Sequence, residues 1–319
     1  MKLSINRRLA VLALVASVAA IAACGKQATN ITVLTGGTSG IYYPIGVGIS
    51  QLIDKNMQDV RSSVQATKAT VENANLIEAG RGEIAIGLAD TVDDAYKGNK
   101  EIGFDKPLTK LRAIANAYPN YVQIVARADS GIHSLADLKG KRISVGAPKS
   151  GTEVNARTIF KAAGISYDDM TVEFLPYAES VELMKNRQLD ATLQSSGLGM
   201  AAYRDLAATL PISFVPVTED VVTTIGNAAY QVGVVPANTY DGQTTDVPTV
   251  KIPNLLFTSS DVDEQTVYEI TRAIFENLDQ LVSAHAAAQV ISLENAPKDL
   301  PIPLHPGAER YYREKGLLQ

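Results

Sequence analysis

The chain has 319 residues, of which 46% are hydrophobic and 20% charged, and its formal net charge is −5 at pH 7. A chain of this length can bury a substantial core, typically divided between two domains, and its acidic balance argues against a nucleic-acid partner, because duplex binding requires clustered Lys and Arg. One cysteine excludes a disulfide scaffold, and with three scattered histidines it makes a zinc or iron–sulfur centre implausible, so we expect no metal and no other cofactor.

The first 23 residues have the organisation of an export signal. Three basic residues precede an apolar stretch over residues 9–21, which is shorter than the roughly 20 residues of a membrane-spanning helix. The stretch ends in Ile-Ala-Ala-Cys, which resembles the lipobox of bacterial lipoproteins. We therefore predict a signal peptide over residues 1–23 and a lipid on Cys24 that holds the protein to a membrane, in the periplasm or at the cell surface. The alternative is an ordinary secretory signal.

Beyond a polar tether at residues 24–30, segments typical of strands alternate with segments typical of helices. Short apolar runs indicate the strands, and apolar side chains spaced near 3.6 residues indicate the helices. Strands are predicted at residues 31–34, 60–66, 84–88, 121–127, 143–145, 171–175, 191–193 and 255–258. Helices are predicted at residues 43–56, 71–79, 135–138, 153–163, 178–186 and 263–284, with an extended stretch at 234–253. This alternation indicates an α/β fold with mostly parallel sheets.

Two similar α/β units and a late return segment predict two lobes built from an interrupted chain. We assign residues 31–120 and 252–319 to lobe I and residues 121–251 to lobe II, with a hinge between the lobes. Parallel sheets present ligands at the carboxyl ends of their strands. A small molecule is therefore expected in the cleft between the lobes, which would close by a hinge motion.

The first candidate binding segment is a glycine-rich loop between the first strand and the first helix. It contains Thr38, Ser39, Gly40, Ile41 and Tyr42. Backbone N–H groups at a helix start, joined by two hydroxyls, suit an anion, and glycines let the anion approach closely. The alternative is an ordinary turn in which Ser39 caps the helix.

A second loop of the same kind precedes the helix predicted at residues 153–163. It contains Ser150, Gly151, Thr152 and Glu153. Its glycines have the spacing of a phosphate loop, but Thr152 stands where the catalytic lysine belongs, so a nucleotide triphosphatase is excluded. Two such loops suit a ligand with two carboxylates, or with one carboxylate beside a polar group.

Polar residues recur at the ends of other predicted strands, which favours a polar ligand cleft. Asp90 could receive an ammonium group, whereas Thr70, Glu72 and Asn73 suit helix capping as well as ligand contact. The remaining candidates are two tyrosines near the lobe crossing and two serines after the strand at 191–193, namely Tyr118, Tyr121, Ser195 and Ser196.

Catalytic signatures are absent from the sequence. Ser39 lacks the glycine two residues later that a nucleophile elbow needs, because Ile41 stands there. The histidines have no metal-ligand spacing, and we expect capping or surface roles for them. We therefore predict a non-enzyme and no catalytic residue. An exported hydrolase or transferase that uses Ser39 or Glu153 is the less favoured alternative.

Nearly the whole mature chain resembles the TAXI family of extracytoplasmic solute receptors, which serve TRAP transporters. The likeness rests on a combination of segments that includes a Glu-Ala-Gly motif and a Gly-Lys-Arg-Ile-Ser-Val-Gly motif. These segments are residues 34–44, 70–90, 129–131, 140–146, 150–153 and 303–312. The resemblance implies a type II periplasmic-binding-protein fold and a receptor that delivers its solute to a TRAP membrane subunit, driven by a sodium gradient. We also expect the protein to be a monomer.

The resemblance also implies capture of a small carboxylate, such as glutamate, glutamine or 2-oxoglutarate. By this likeness, Thr38, Ser39, Gly40 and Tyr42 of the first loop and residues 150–152 of the second would hold the ligand. Other TRAP receptors grip the carboxylate with an arginine, but neither loop contains one. The segment 194–199 also departs from the aromatic, proline-containing pattern expected there. A receptor of the same fold that serves an ABC transporter or a sensor kinase is the alternative, because fold alone does not separate these partners.

Overall fold

A computed structural model describes residues 28–319 as a mixed ten-stranded sheet covered by helices. The predicted signal peptide and Cys24 lie outside the described residues. The strands are β1 (Thr29–Leu34), β2 (Val60–Gln65), β3 (Ile84–Leu88), β4 (Leu111–Arg127), β5 (Arg142–Ser144), β6 (Thr171–Glu173), β7 (Ala191–Ser196), β8 (Ile212–Val215), β9 (Gln231–Val235) and β10 (Val247–Ser259). The helices are α1 (Tyr42–Asn56), α2 (Thr70–Glu78), α3 (Ala89–Lys97), α4 (Gly151–Ala162), α5 (Tyr177–Lys185), α6 (Ala201–Thr209), α7 (Glu219–Ile225), α8 (Glu264–Phe275), α9 (Leu278–Ala284) and α10 (Pro306–Glu314).

The sheet has a parallel region at each end and two long antiparallel strands between them. Its strand order is β2-β1-β3-β10-β4-β7-β5-β6, with β8 paired to β4 and β9 paired to β10. β1 runs parallel to β2 and β3, and β5 runs parallel to β6 and β7. β4 and β10 run antiparallel to each other and to their neighbours. The predicted α/β class is therefore confirmed, and the two long strands make the sheet mixed.

Apolar side chains of the helices pack on both faces of the sheet. In α1, Ile45, Ile49, Leu52 and Ile53 are buried, which is the 3.6-residue spacing of one helix face. All five residues of β3 are buried, because helices cover both sides of a parallel strand. Within residues 28–319, no helix is both long and apolar enough to cross a membrane.

Two sequence predictions in the carboxyl-terminal third require correction. The strand predicted at 255–258 is the end of the 13-residue β10, and this strand takes in part of the stretch predicted as merely extended. The helix predicted at 263–284 is two helices, α8 and α9. They separate at Asn277, whose side-chain amide donates to the carbonyl of Ala273 at 2.9 Å, a local bond of the kind that competes with helix continuation.

Candidate functional site

A partly open cavity of about 90 Å³ lies at the carboxyl ends of the six parallel strands. The loops after β1, β2, β5 and β6 and the ends of β3 and β7 supply its walls. The lining residues are Gly36, Gly37, Gly40, Ile41, Tyr42, Thr67, Lys68, Ala69, Thr70, Leu88, Ala147, Ser150, Gly151, Thr152, Pro176, Tyr177, Ser195 and Ser196. Both parallel regions of the sheet therefore contribute to one cavity.

Four helices begin at the cavity wall, which gives it a positive potential. α1, α2, α4 and α5 start at or beside the lining residues Tyr42, Thr70, Gly151 and Tyr177. The first N–H groups of a helix have no partner within the helix, and the helix dipole adds about half a positive charge at this end. Among the lining residues, Lys68 is the one charged side chain. The arrangement suits an anion.

Ser195 lines this cavity and carries a buried, unsatisfied hydroxyl. It is 4% exposed, and its Oγ has no hydrogen-bond partner in the described structure. A buried polar atom without a partner costs stability, so such atoms mark places where a ligand or water completes the hydrogen bonding. Thr152 and Ser150, which start α4, are also buried in the lining.

Tyr177 connects the start of α4 to the end of β7. Its hydroxyl lies 2.5 Å from Thr152 Oγ1, donates to the carbonyl of Ser195 at 2.7 Å and accepts from the Ser195 N–H at 3.2 Å. Burial raises the pKa of Tyr177 to about 12, so the phenol stays protonated at physiological pH. A phenol has one proton to donate. The proton position on Tyr177 therefore decides whether Thr152 can donate to a ligand.

A chain of hydrogen bonds crosses the sheet beneath the cavity. The Tyr42 hydroxyl donates to Asn254 Oδ1 at 2.5 Å, and Asn254 Nδ2 donates to Asn120 Oδ1 at 2.8 Å. Asn120 Nδ2 then donates to the Ser195 carbonyl at 3.0 Å. Asn120 and Asn254 belong to the two long strands, so this chain links α1 to β7 through both of them.

Asp90 is buried close to the cavity but does not line it. Its carboxylate accepts from the Thr91 N–H at 2.6 Å and from Asn155 Nδ2 at 2.9 Å. Asn155 also donates to the hydroxyl of Tyr230 at 2.9 Å. Burial raises the pKa of Asp90 above its usual value. Asp90 therefore joins α3 to α4, and its carboxylate does not face a ligand in the cavity.

Other predicted residues hold the loops in place. Asn73 donates to the carbonyls of Thr35 and Ile86 at 2.7 and 2.9 Å, which ties α2 to the ends of β1 and β3. Glu72 accepts from the Lys68 N–H at 2.6 Å. The N-cap of α2 is Ala69, and no side-chain hydrogen bond caps this helix, so these contacts tie α2 to its neighbours instead.

The remaining predicted residues point elsewhere. Glu153 forms an ion pair with Arg157 at 3.1 Å and accepts from the Tyr167 hydroxyl, so it does not line the cavity. Thr38 and Ser39 also lie outside the lining, in a turn closed by a bond from the Gly40 N–H to the Gly37 carbonyl. Ser39 does not cap α1, whose N-cap is Ile41. Tyr118 and Tyr121 line a separate groove with Leu198 and Val290.

The cavity brings together half of the residues predicted from sequence and adds others. Predicted residues in the lining are Gly40, Ile41, Tyr42, Thr70, Ser150, Gly151, Thr152, Ser195 and Ser196. The most informative additions are Lys68 and Tyr177. Lys68 stands between β2 and α2, and Tyr177 is the first residue of α5 after β6, so the positional rule that selected the other loops would have found them.

The site lies at the carboxyl ends of two parallel strand sets joined by two long strands, an arrangement that matches the fold of periplasmic binding proteins. Solved structures agree. PhnD1 from Prochlorococcus marinus in complex with methylphosphonate is 11% identical and covers 92% of this chain and 99% of its own, with a TM-score of 0.58. The alkanesulfonate-binding protein SsuA from Xanthomonas axonopodis pv. citri, bound to MOPS, is 14% identical. The match covers 91% of this chain and 94% of SsuA, with a TM-score of 0.51.

A third similar structure is a provisionally named L-cystine ABC transporter of Listeria monocytogenes. It is 14% identical and covers 80% of this chain and 94% of its own, with a TM-score of 0.50. The sequence profile of the NMT1-like family matches residues 33–316. The chain therefore belongs to the NMT1-like family.

Proposed function

We propose that this protein is an extracytoplasmic solute receptor that binds a small organic anion and delivers it to a membrane importer. The observation that carries the proposal is the cavity lining: four helix amino termini, Lys68 and the unpartnered Ser195 hydroxyl converge where no carboxylate side chain is present among the lining residues. Such donors stabilise an anion through charge-assisted hydrogen bonds.

The binding motion rests on the two-lobe division, with lobe I at residues 31–120 and 252–319 and lobe II at residues 121–251. In this division, β4 and β10 cross between the lobes near Asn120 and Asn254, and the hydrogen-bonded pair of asparagines lies at the hinge. Closure would bring the loops of β1, β2 and β3 against those of β5, β6 and β7. A ligand that contacts both sets favours the closed state.

The similar structures support an ABC importer as the partner better than a TRAP transporter. The Listeria monocytogenes structure is named for an ABC transporter. PhnD1 holds methylphosphonate, and SsuA is named for alkanesulfonates, so both are associated with anionic compounds. A TRAP membrane subunit, which the TAXI resemblance implies, and a sensor kinase are the alternative partners. The export signal, the lipid on Cys24, the periplasmic or cell-surface location and the monomeric state belong to the same proposal.

Binding rather than turnover is the activity that the site supports. The two residues considered as catalytic groups, Ser39 and Glu153, lie outside the lining, and Glu153 is held by Arg157 and Tyr167. A hydrolase or transferase that uses a side-chain nucleophile would need that nucleophile and a base within hydrogen-bond reach of one another.

A thermal-shift screen of the purified protein tests the proposal. The panel contains short carboxylates, 2-oxo acids, alkylphosphonates and alkylsulfonates, with matched neutral amides as controls. A ligand that binds only the folded state stabilises it by about 2.7 kcal/mol at a hundredfold excess over Kd. We expect anions to raise the melting temperature and to be recovered intact. The absence of a shift with every compound of the panel, or consumption of a compound, would contradict the proposal.

A neighbouring gene for an ABC permease or for a TRAP permease would distinguish the two kinds of membrane partner.

A further inference from the structure

The three acidic residues predicted as ligand contacts are each engaged by other groups, which bears on whether a bound solute can carry an ammonium group. Asp90 is held by Thr91 and Asn155, and Glu153 is held by Arg157 and Tyr167. Glu72 accepts from the Lys68 N–H. Each carboxylate therefore has its own donors, and none belongs to the lining residues.

One backbone carbonyl of the lining is fully occupied. The Ser195 carbonyl accepts from Asn120 Nδ2 and from the Tyr177 hydroxyl, which uses both lone pairs of its oxygen. The Gly37 carbonyl already accepts one bond, from the Gly40 N–H. An ammonium group brings three donors and no acceptor, so it would need acceptors other than the Ser195 carbonyl.

The electrostatic environment opposes a second positive charge. Lys68 and the four helix amino termini already give the cavity a positive potential, which attracts the anionic end of a solute and repels a cationic end. The rest of the wall includes the apolar side chains of Ile41, Leu88, Ala147 and Pro176. A buried ammonium group without a charged partner is costly, whereas an apolar group is favourable there.

We infer that the solute of this receptor is an organic acid without an amino group, namely an oxo, hydroxy or alkyl acid, and that the site discriminates against α-amino acids. This inference rests on the proposed function and narrows it. Of the three solutes that the family resemblance implies, 2-oxoglutarate fits this class, and glutamate and glutamine do not.

Matched pairs of compounds test the inference by titration calorimetry on the purified protein. The pairs are pyruvate with alanine, 2-oxoglutarate with glutamate, and ethanesulfonate with 2-aminoethanesulfonate. We expect the amine-free member of any binding pair to bind at least about tenfold more tightly, because the amine must be desolvated without a partner. Equal or tighter binding of the amine overturns the inference and leaves the proposed function intact. If no anion of any class binds, both the inference and the proposed function are wrong.

A charge placed in the wall provides an independent test. In Ala147→Asp, a carboxylate enters the lining beside the start of α4. The affinity for the amine member of a pair, divided by the affinity for the amine-free member, should then rise by about tenfold or more. Ala147→Asn is the neutral control of the same shape and should leave the ratio near that of the wild type. If the Ala147 variants do not fold, Pro176→Asp with Pro176→Asn repeats the test at an exposed lining position that precedes α5. An unchanged ratio in the folded Asp variant overturns the inference.

Discussion

Asn155 on α4 donates its side-chain amide to the buried carboxylate of Asp90 at the start of α3, with 2.9 Å between Nδ2 and Oδ2. In the proposed two-lobe division, this bond crosses from lobe II to lobe I beside the ligand cavity. Tyr230 completes the group through its hydroxyl, which accepts from the same amide. In that division, the contact would stabilise a closed arrangement, and separation of the lobes would expose the carboxylate to water.

The first prediction concerns the pH dependence of stability that Asp90 contributes. Because burial raises the pKa of Asp90 in the folded state, the folded protein retains the proton more readily than the unfolded chain. This contribution to the free energy of unfolding is fully present below the pKa of the unfolded chain, about 3.8, and is lost as pH rises through the higher pKa of the folded state.

Urea unfolding between pH 4 and 7 should show that the wild-type free energy of unfolding, relative to Asp90→Asn, falls as pH rises. An exposed charge-loss control, Asp279→Asn, corrects for net charge. A difference that rises with pH would contradict the prediction.

The second prediction concerns Tyr177 as the connection between α4 and β7. Tyr177→Phe removes the hydroxyl that contacts Thr152 Oγ1 and both the N–H and the carbonyl of Ser195. The loss leaves buried partners unsatisfied, so the free energy of unfolding of the ligand-free protein should fall by about 1–3 kcal/mol. Urea unfolding measures this change. Tyr43→Phe, on α1 but outside the lining, is the matched control and should be as stable as the wild type.

The strand-loop-helix order in the sequence was sufficient to predict the α/β class and half of the cavity lining. Ser150, Gly151 and Thr152 were found because a glycine-containing loop before a helix has a visible pattern. By contrast, the engagement of Asp90 by Asn155 depends on a contact between residues 65 positions apart, which no local pattern contains. The hydroxyls of Thr38 and Ser39 could likewise be recognised in the sequence as suitable ligand contacts. Their position outside the cavity lining could not be predicted from it.

The third prediction concerns the close approach of α4 to the first parallel region. A Cβ on Gly151 would lie 2.5 Å from Leu88 Cδ1 and 2.9 Å from Thr70 Oγ1, so Gly151→Ala should force these elements apart. We expect weaker ligand binding and a lower closed population, measured by small-angle scattering with saturating ligand. Gly37→Ala is the control, because Gly37 also lines the cavity but a Cβ there meets no atom within 4 Å. Equal affinity in the two variants would show that the close approach is dispensable.

The last prediction concerns Lys68 as the charged side chain of the lining. Lys68→Met keeps most of the apolar stem and removes the ammonium group, so the anion loses a favourable interaction with a partly solvated charge. Because Lys68 is exposed and therefore screened, the expected loss of affinity is modest, about three- to tenfold, and it should shrink as salt rises. Calorimetry at two salt concentrations measures both effects. Lys149→Met provides the control, because Lys149 is an exposed lysine in the loop before α4 that lies outside the lining. A larger loss from Lys149→Met than from Lys68→Met would move the anionic end of the ligand toward α4.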